Sequence, residues 1–453
     1  MIKRFSFVFI LALFAGQVIG QAVKVDVRQT DNGWELIRGG EPYYVKGAGG
    51  KTNLDALVKI GGNSIRTWSA DDALEVLDEA HKKGLTVMMG LWVGHERHGF
   101  DYDNESAVKS QLERFTRIVK KLKDHPALLL WGIGNEVDLF YSNTKVWYAV
   151  NDIAKMIHEI DPNHPTSTVT AGFDPAEAKL IMERAPEIDI YSINTYGDLG
   201  ALNDAITKTE WTGPYMVTEW GPDGHWEVKK TTWDAPIEQS SSEKGEAYYK
   251  RYKEHIEPHP NCVGSYVFLW GQKQETTETW YGLFSIDGHE SEVIDKLAYI
   301  WNGKYPENRA PLLKNLNIDG RKKGDEIVLT GGKKYNATID VSDPDNDNLI
   351  IKWRLNYEST STKAGGDFEE AISKVPGSVK NVKGNSAVIK APLQEGAYRL
   401  FVFVYDQNGH FAYDNIPVYS ISSQGDDIDG VRFKNYTMDS FDEDINKSII
   451  EED

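Results

Sequence analysis

The sequence predicts an α/β barrel of the TIM type, eight strand–helix units closed into a ring, followed by an all-β sandwich. Three observations predict it. From about residue 41 to 305, short apolar runs alternate with longer amphipathic stretches, and eight such units in that span match the usual size of a (β/α)8 barrel. Most of the short runs are continuously apolar, as expected of parallel strands covered on both faces. After Pro306 the helical periodicity vanishes and short β-type runs separated by turn residues replace it. The chain has 453 residues, past the size at which a single core stops growing, so at least two domains are expected.

In chain order, Lys3 and Arg4 precede the apolar run 5–14, and Val18-Ile19-Gly20 places small residues before Gln21. Residues 1–20 therefore read as a secretory signal peptide, too short in its apolar core to span a membrane, and a secreted or periplasmic protein is expected. The stretch 23–37, with Asp31-Asn32-Gly33 as its turn, reads as a hairpin ahead of the barrel. Barrel strands are expected at 43–47, 63–68, 86–93, 128–133, 167–171, 188–194, 215–219 and 265–270. Helical patterns lie between them, as in 73–83 with Leu74, Leu77 and Ala80 on one face, and 106–123 with Leu112, Phe115, Val119 and Leu122. The barrel domain is thus assigned to 21–305. Asn302 to Pro311 has the composition of a boundary, and few contacts are expected to cross it. Sandwich strands are expected at 337–341, 349–355, 386–389, 398–405 and 416–420, within a module of 308–421. Residues 426–453 carry ten acids against three bases, so 422–453 reads as an acidic tail.

Composition excludes several classes of function. With 69 Asp+Glu against 50 Lys+Arg, the net charge of -19 opposes phosphate backbones and anionic lipid. Neither nucleic acid nor membrane insertion is expected. The single cysteine, Cys262, excludes an intramolecular disulfide and a Cys-rich metal centre. The 13 Trp and 22 Tyr, by contrast, mark a mainly folded protein, since disordered chains are poor in aromatics.

Chemistry in such a barrel sits at the carboxyl ends of the strands. The fourth run ends Trp131-Gly132-Ile133-Gly134-Asn135-Glu136, and the seventh ends Thr218-Glu219-Trp220. Each places one glutamate at the end of an apolar strand, on roughly opposite sides of the mouth. Two facing carboxylates, one protonated and one ionised, are what cleavage of a glycosidic bond requires. These two motifs resemble the clan A retaining glycoside hydrolases, with the family 2 barrel as the nearest texture, over about 265 residues. The Gly-Asn-Glu-Val stretch is also similar to the β-1,3-glucanosyltransferases. The resemblance implies that Glu136 is the acid/base and Glu219 the nucleophile. It further implies that Arg66, in Ser64-Ile65-Arg66-Thr67-Trp68, lies beside the nucleophile, that Tyr196, in Ile193-Asn194-Thr195-Tyr196, donates to it, that Asn135 binds the sugar 2-hydroxyl, and that Trp270 is the stacking platform. His95 is expected to touch substrate at the site edge. Trp92, Trp226, Trp233, Trp280 and Tyr281 are further candidate platforms.

No cofactor is expected. His95, Glu96 and His98 lack the i, i+4 helical spacing of a zinc pair, and Gly132 and Gly134 make only half of a dinucleotide fingerprint. Asp343, Asp345 and Asp347 repeat acids at alternate positions and are similar to the Asp-Pro-Asp turns of bacterial Ig-like and cadherin-like modules, but the glycine and glutamate of an EF-hand are missing, so a polar turn is favoured over a calcium site. The expected protein is a secreted retaining β-glycoside hydrolase acting on an oligo- or polysaccharide of β-glucan type, as a monomer. A transglycosylase using the same glutamates, or a non-catalytic carbohydrate-binding protein, stays open on sequence alone.

Overall fold

The computed structural model describes residues 21–422, so the expected signal peptide and most of the acidic tail lie outside the described residues. Eight strands close into an all-parallel barrel: Val45–Gly49, Ser64–Arg66, Thr86–Leu91, Leu128–Ile133, Thr166–Ala171, Ile190–Asn194, Tyr215–Trp220 and Cys262–Val267. They are named here by order, first to eighth. Their side chains are buried almost throughout, which explains why the sequence runs apolar there without alternation. The amphipathic patterns become helices Ala73–Lys82 and Glu105–Leu122, the latter capped by Asn104, whose side chain accepts from the Ala107 amide.

The hairpin forms from Val25–Thr30 and Gly33–Arg38, extended by Glu41–Tyr43. It plugs the amino-terminal end of the barrel. Val25 and Leu36 join a buried cluster with Val45, Met88, Leu130, Val169, Met216 and Tyr266. Gly33 turns the hairpin at φ 121°, its amide side so close to the barrel that an added Cβ would stand 2.2 Å from the Pro260 carbonyl oxygen.

The carboxyl-terminal part consists of two five-stranded sheets. One contains Leu312–Ile318, Lys334–Ser342, Val379–Lys383 and Ser386–Lys390; the other contains Ile350–Tyr357, Gly396–Tyr405 and His410–Ile421. Leu313, Ile339 and Ile389 of the first sheet share one core with Leu355, Val402 and Val418 of the second.

The seam between the two parts departs from the expectation of few crossing contacts. Glu290–Ser291, from the barrel region, pairs directly with the strand His410–Ile421. All twelve residues of that strand are buried, because one face meets the sandwich core and the other meets the barrel. Its polar residues are matched across the seam. Asn415 donates to Glu238 at 2.6 Å; Asp414 holds Lys323 at 2.6 Å, and Lys323 in turn donates across the seam to the Glu238 carbonyl at 3.0 Å; from the neighbouring strand, buried Arg399 donates to the Pro236 carbonyl at 2.8 Å. Buried Lys244 sits 2.6 Å from Glu238 and 4.9 Å from the Tyr413 ring centre. Boundary composition marks where the chain crosses between parts, and says nothing of the faces that flank the crossing.

The acidic turn is a turn. Asp343 Oδ1 accepts the amides of Asp345 and Asp347, Asp345 accepts the Arg309 amide, and Asp347 accepts from Asn408. Among the described residues there is no His/Cys/Asp/Glu group arranged to hold a metal.

Candidate active site

Glu219 lies within the seventh strand, so a rigid, buried backbone fixes it. Its carboxylate accepts three hydrogen bonds. Arg66 Nη1 reaches Oε1 at 3.0 Å, Trp68 Nε1 reaches the same oxygen at 2.7 Å, and the Tyr196 hydroxyl donates to Oε2 at 2.9 Å.

Glu136 sits just past the fourth strand on a sharp turn. Gly134 has φ 77° and Glu136 itself φ 50°, a left-handed conformation uncommon for a residue with a side chain. The Glu136 amide is anchored to the Val169 carbonyl at 2.9 Å. Burial, together with the negative charge on Glu219, pushes the Glu136 carboxyl up to about 7. Asn194, at the end of the sixth strand, donates to Glu136 Oε1 at 2.8 Å while its carbonyl accepts from Thr218 at 2.9 Å, one residue from Glu219. Asn194 thus ties the two carboxylates' strands together.

Arg66, 1% exposed, bridges the same two sides. Besides Glu219, its guanidinium donates to the Thr218 carbonyl at 2.8 Å and to Asn135 Oδ1 at 2.5 Å. Asn135 and the two glutamates open into a pocket of about 250 Å3, walled by Trp68, Trp92, Tyr196, Trp226, Phe268, Leu269, Lys273 and Glu275, and by Gly365 and Gly366 of the sandwich. Lys273 Nζ is 2.7 Å from Glu275 Oε2 and 2.8 Å from the Gly366 carbonyl, so both cations near the pocket already have anionic or carbonyl partners.

Five of the seven sequence-derived site residues, Arg66, Asn135, Glu136, Tyr196 and Glu219, converge here. Arg66 does so from behind the lining, through Glu219 and Asn135, and the other two, Trp270 and His95, stand apart from the pocket. Trp270 lies beyond the eighth strand, which ends at Val267 and not at 270. Its ring is buried against Phe284 at 5.1 Å with Nε1 on the Asn53 carbonyl, because the chain folds back and its amide bonds the Gly49 carbonyl. Phe268 and Leu269 line the pocket in its place. His95 is buried beneath Trp92, its Nε2 2.6 Å from the Asn135 carbonyl, and thus supports the Asn135–Glu136 turn from behind. Of the candidate platforms, Trp92 and Trp226 line the pocket, whereas Trp233, Trp280 and Tyr281 are buried. Trp233 packs on Tyr419 of the sandwich, and Tyr281 backs Tyr196. Glu96 holds the Ser142 and Asn143 amides, and His98 stands 3.2 Å from Asp367.

Trp68 and Asn194 were missed as site residues although both stand in the motifs that gave Arg66 and Tyr196. Their position at strand ends was the available signal. Lys273, Glu275, Gly365 and Gly366 stand on loops with no spacing rule to point at them.

Residues 56–235 match the model of the glycosyl hydrolases family 2, TIM barrel domain. A β-glucuronidase of Paenibacillus borealis is 22% identical over 324 residues, 61% of this chain and 52% of that protein. A β-galactosidase of Arthrobacter sp. (strain B7) is 20% identical over 336 residues, 70% of this chain and 30% of that one. The chain thus spans about half or less of the length of these curated relatives. Among solved structures, a Bacteroides uniformis β-glucuronidase aligns at a TM-score of 0.47 and 16% identity, covering 88% of this chain and 48% of that one.

Proposed function

We propose that this protein, whose residues 56–235 match the family 2 TIM-barrel model, is a retaining β-glycosidase working through a covalent glycosyl–Glu219 intermediate. The observation that carries the reading is the unequal surroundings that the site gives its two glutamates. Glu219 accepts three donors, while Glu136 is pushed up to about 7, so that a large share of it still carries its proton near neutral pH.

In the first step Glu219 attacks the anomeric carbon as Glu136 gives its proton to the departing oxygen. Attack consumes the charge on Glu219. That charge is one of the causes raising the Glu136 pKa, so Glu136 becomes a better-ionised base for the second step, in which it takes a proton from the attacking water. Arg66 and Tyr196 hold the nucleophile's two oxygens apart in fixed directions, and Asn135, oriented by Arg66, faces the pocket where the 2-hydroxyl would bind.

The substrate class we favour is a neutral β-linked sugar drawn from an oligo- or polysaccharide of β-glucan type. Lys273, the cation among the described residues of the pocket wall, and Arg66 behind it are both already engaged, which disfavours an acidic sugar. Export follows in the same reading from the charged start and apolar run of residues 1–20, and amino-terminal sequencing of the mature protein is expected to begin at Gln21.

Azide rescue tests the roles. Glu219→Ala should lose activity and regain it with azide, giving a product of inverted configuration. Glu136→Ala should still react with aryl glycosides bearing good leaving groups, accumulate the intermediate, and be rescued by azide with retention. Retained product from rescued Glu219→Ala, or unchanged turnover in either variant, would reverse or remove the assignment.

A further inference from the structure

The wall of the pocket formed by Gly365 and Gly366 comes from the sandwich, out of the long connection between the strands Ile350–Tyr357 and Val379–Lys383. This connection is built onto the barrel mouth. Arg97, after the third strand, donates to Asp367 at 2.8 Å and to the carbonyls of Ala364 and Gly365 at 3.3 and 3.4 Å. Lys273, after the eighth strand, donates to the Gly366 carbonyl at 2.8 Å, and buried Glu369 accepts the Thr276 amide at 2.8 Å.

The two glycines are required by this docking. Both have positive φ, 63° and 72°. A Cβ on Gly365 would lie 2.5 Å from Leu139 and 2.8 Å from Arg97 Nη2, and one on Gly366 would lie 3.0 Å from Lys273 Nζ. The loop therefore bridges the rim from the third and fourth strands to the eighth, across the edge of the mouth. What remains is about 250 Å3, below the ~300–1,000 Å3 usual for drug-sized ligands, and large enough for little more than one sugar ring.

We propose that the sandwich segment 364–369 is the specificity-determining wall of the active site, ending the cleft so that substrate enters by a chain terminus. The inference rests on the retaining-glycosidase reading and adds to it that the second part of the chain shapes the substrate site. A polymer running past both glutamates would have to pass through the backbone at Gly365–Gly366. The Arg97–Asp367 pair and the Lys273–Gly366 bond set how firmly that path is shut.

The test compares the full-length protein with two variants, Asp367→Ala and a replacement of residues 362–370 by a short Gly-Ser bridge. Substrates are aryl β-glycosides of single neutral sugars and soluble β-1,3-, β-1,4- and mixed-linkage glucans. The readouts are monosaccharide release, reducing ends, and the viscosity lost per reducing end formed, with circular dichroism to confirm folding. The wild type should release monosaccharide with little viscosity loss. The bridged variant should lose roughly tenfold or more in kcat/KM on aryl glycosides and give longer products with a steeper viscosity loss. Asp367→Ala, which keeps the loop's length and removes a half-exposed carboxylate, should shift the same way to a smaller extent. A wild type that cuts glucans internally, or a folded bridged variant with an unchanged product pattern, overturns this inference and leaves the glycosidase reading standing. A wild type inactive on every glycoside overturns both.

Discussion

Three donors converge on Glu219 and one on Glu136, and that asymmetry has measurable consequences residue by residue. Tyr196→Phe, which leaves the space filled, and Trp68→Phe, which opens some, each remove one donor from Glu219, so each should lower kcat by about 10- to 100-fold, with KM changed far less for Tyr196→Phe. Steady-state kinetics on an aryl glycoside would show it, and an equal rise in KM with kcat intact would mean that these groups bind substrate. Glu136 offers a pH test. Because Glu219's charge helps to raise it, Glu219→Gln should bring the Glu136 titration below about 7, measurable by 13C NMR of labelled carboxyls. The sign also works out for stability. A carboxyl whose folded pKa lies above its unfolded one holds its proton more tightly when folded, so its contribution falls as pH rises from about 4.5 toward about 7. Glu136→Gln cannot ionise, and it should gain thermal stability over the wild type at pH 8 while matching it near pH 5, by no more than about 3 kcal/mol at 1.36 per unit. At this scale the sequence was readable for Glu136 and Glu219, each at the end of an apolar strand, and for Arg66, Asn135 and Tyr196 through the resemblance of their motifs to a known family. It could not show that Trp68 turns its indole N–H onto Glu219, or that His95 lies beneath Asn135 and not in the pocket, since side-chain direction depends on loops that do not repeat.

The elements were legible to the extent that burial imposes a pattern. Continuous apolar runs located all eight barrel strands, and the fourth was placed at both ends. The eighth was misplaced because Phe268, Leu269 and Trp270 extend the apolar run after the strand stops, being buried above the barrel instead of within its wall. The strand His410–Ile421 was half missed for the reverse reason. Asp414 and Asn415 interrupt its apolar pattern, yet both are buried and paired, Asp414 with Lys323 and Asn415 with Glu238 across the seam. The hairpin plug was legible from its turn, but not its role at the barrel's base. Gly33→Ala tests that role. A methyl there meets the Pro260 carbonyl and a positive φ, so melting temperature should fall by several degrees, about 1–3 kcal/mol, while kcat at 25 °C is kept. An unchanged melting temperature would show that the plug does not bear on barrel stability.

For the whole molecule, the barrel and the sandwich behave as one body at their seam. Lys244 is buried, with its ammonium between Glu238 and the Tyr413 ring; burial lowers its pKa, and Glu238 opposes that shift. Lys244→Met would strand Glu238 and should cost about 3–5 kcal/mol, seen as a single lowered transition in calorimetry; two separate transitions in the wild type would contradict a shared unit. Truncation after Glu307 should for the same reason yield an aggregating barrel, as it would bare the barrel face that the strand His410–Ile421 covers. None of this was legible beforehand, because contacts between residues over a hundred positions apart leave no local period. The central claim, retention through Glu219, is tested most directly by proton NMR of the anomeric signals during the first minutes of hydrolysis of an aryl β-glycoside. The β-anomer should appear first and convert to the α-anomer only at the rate of mutarotation; an α-anomer formed first would contradict the account.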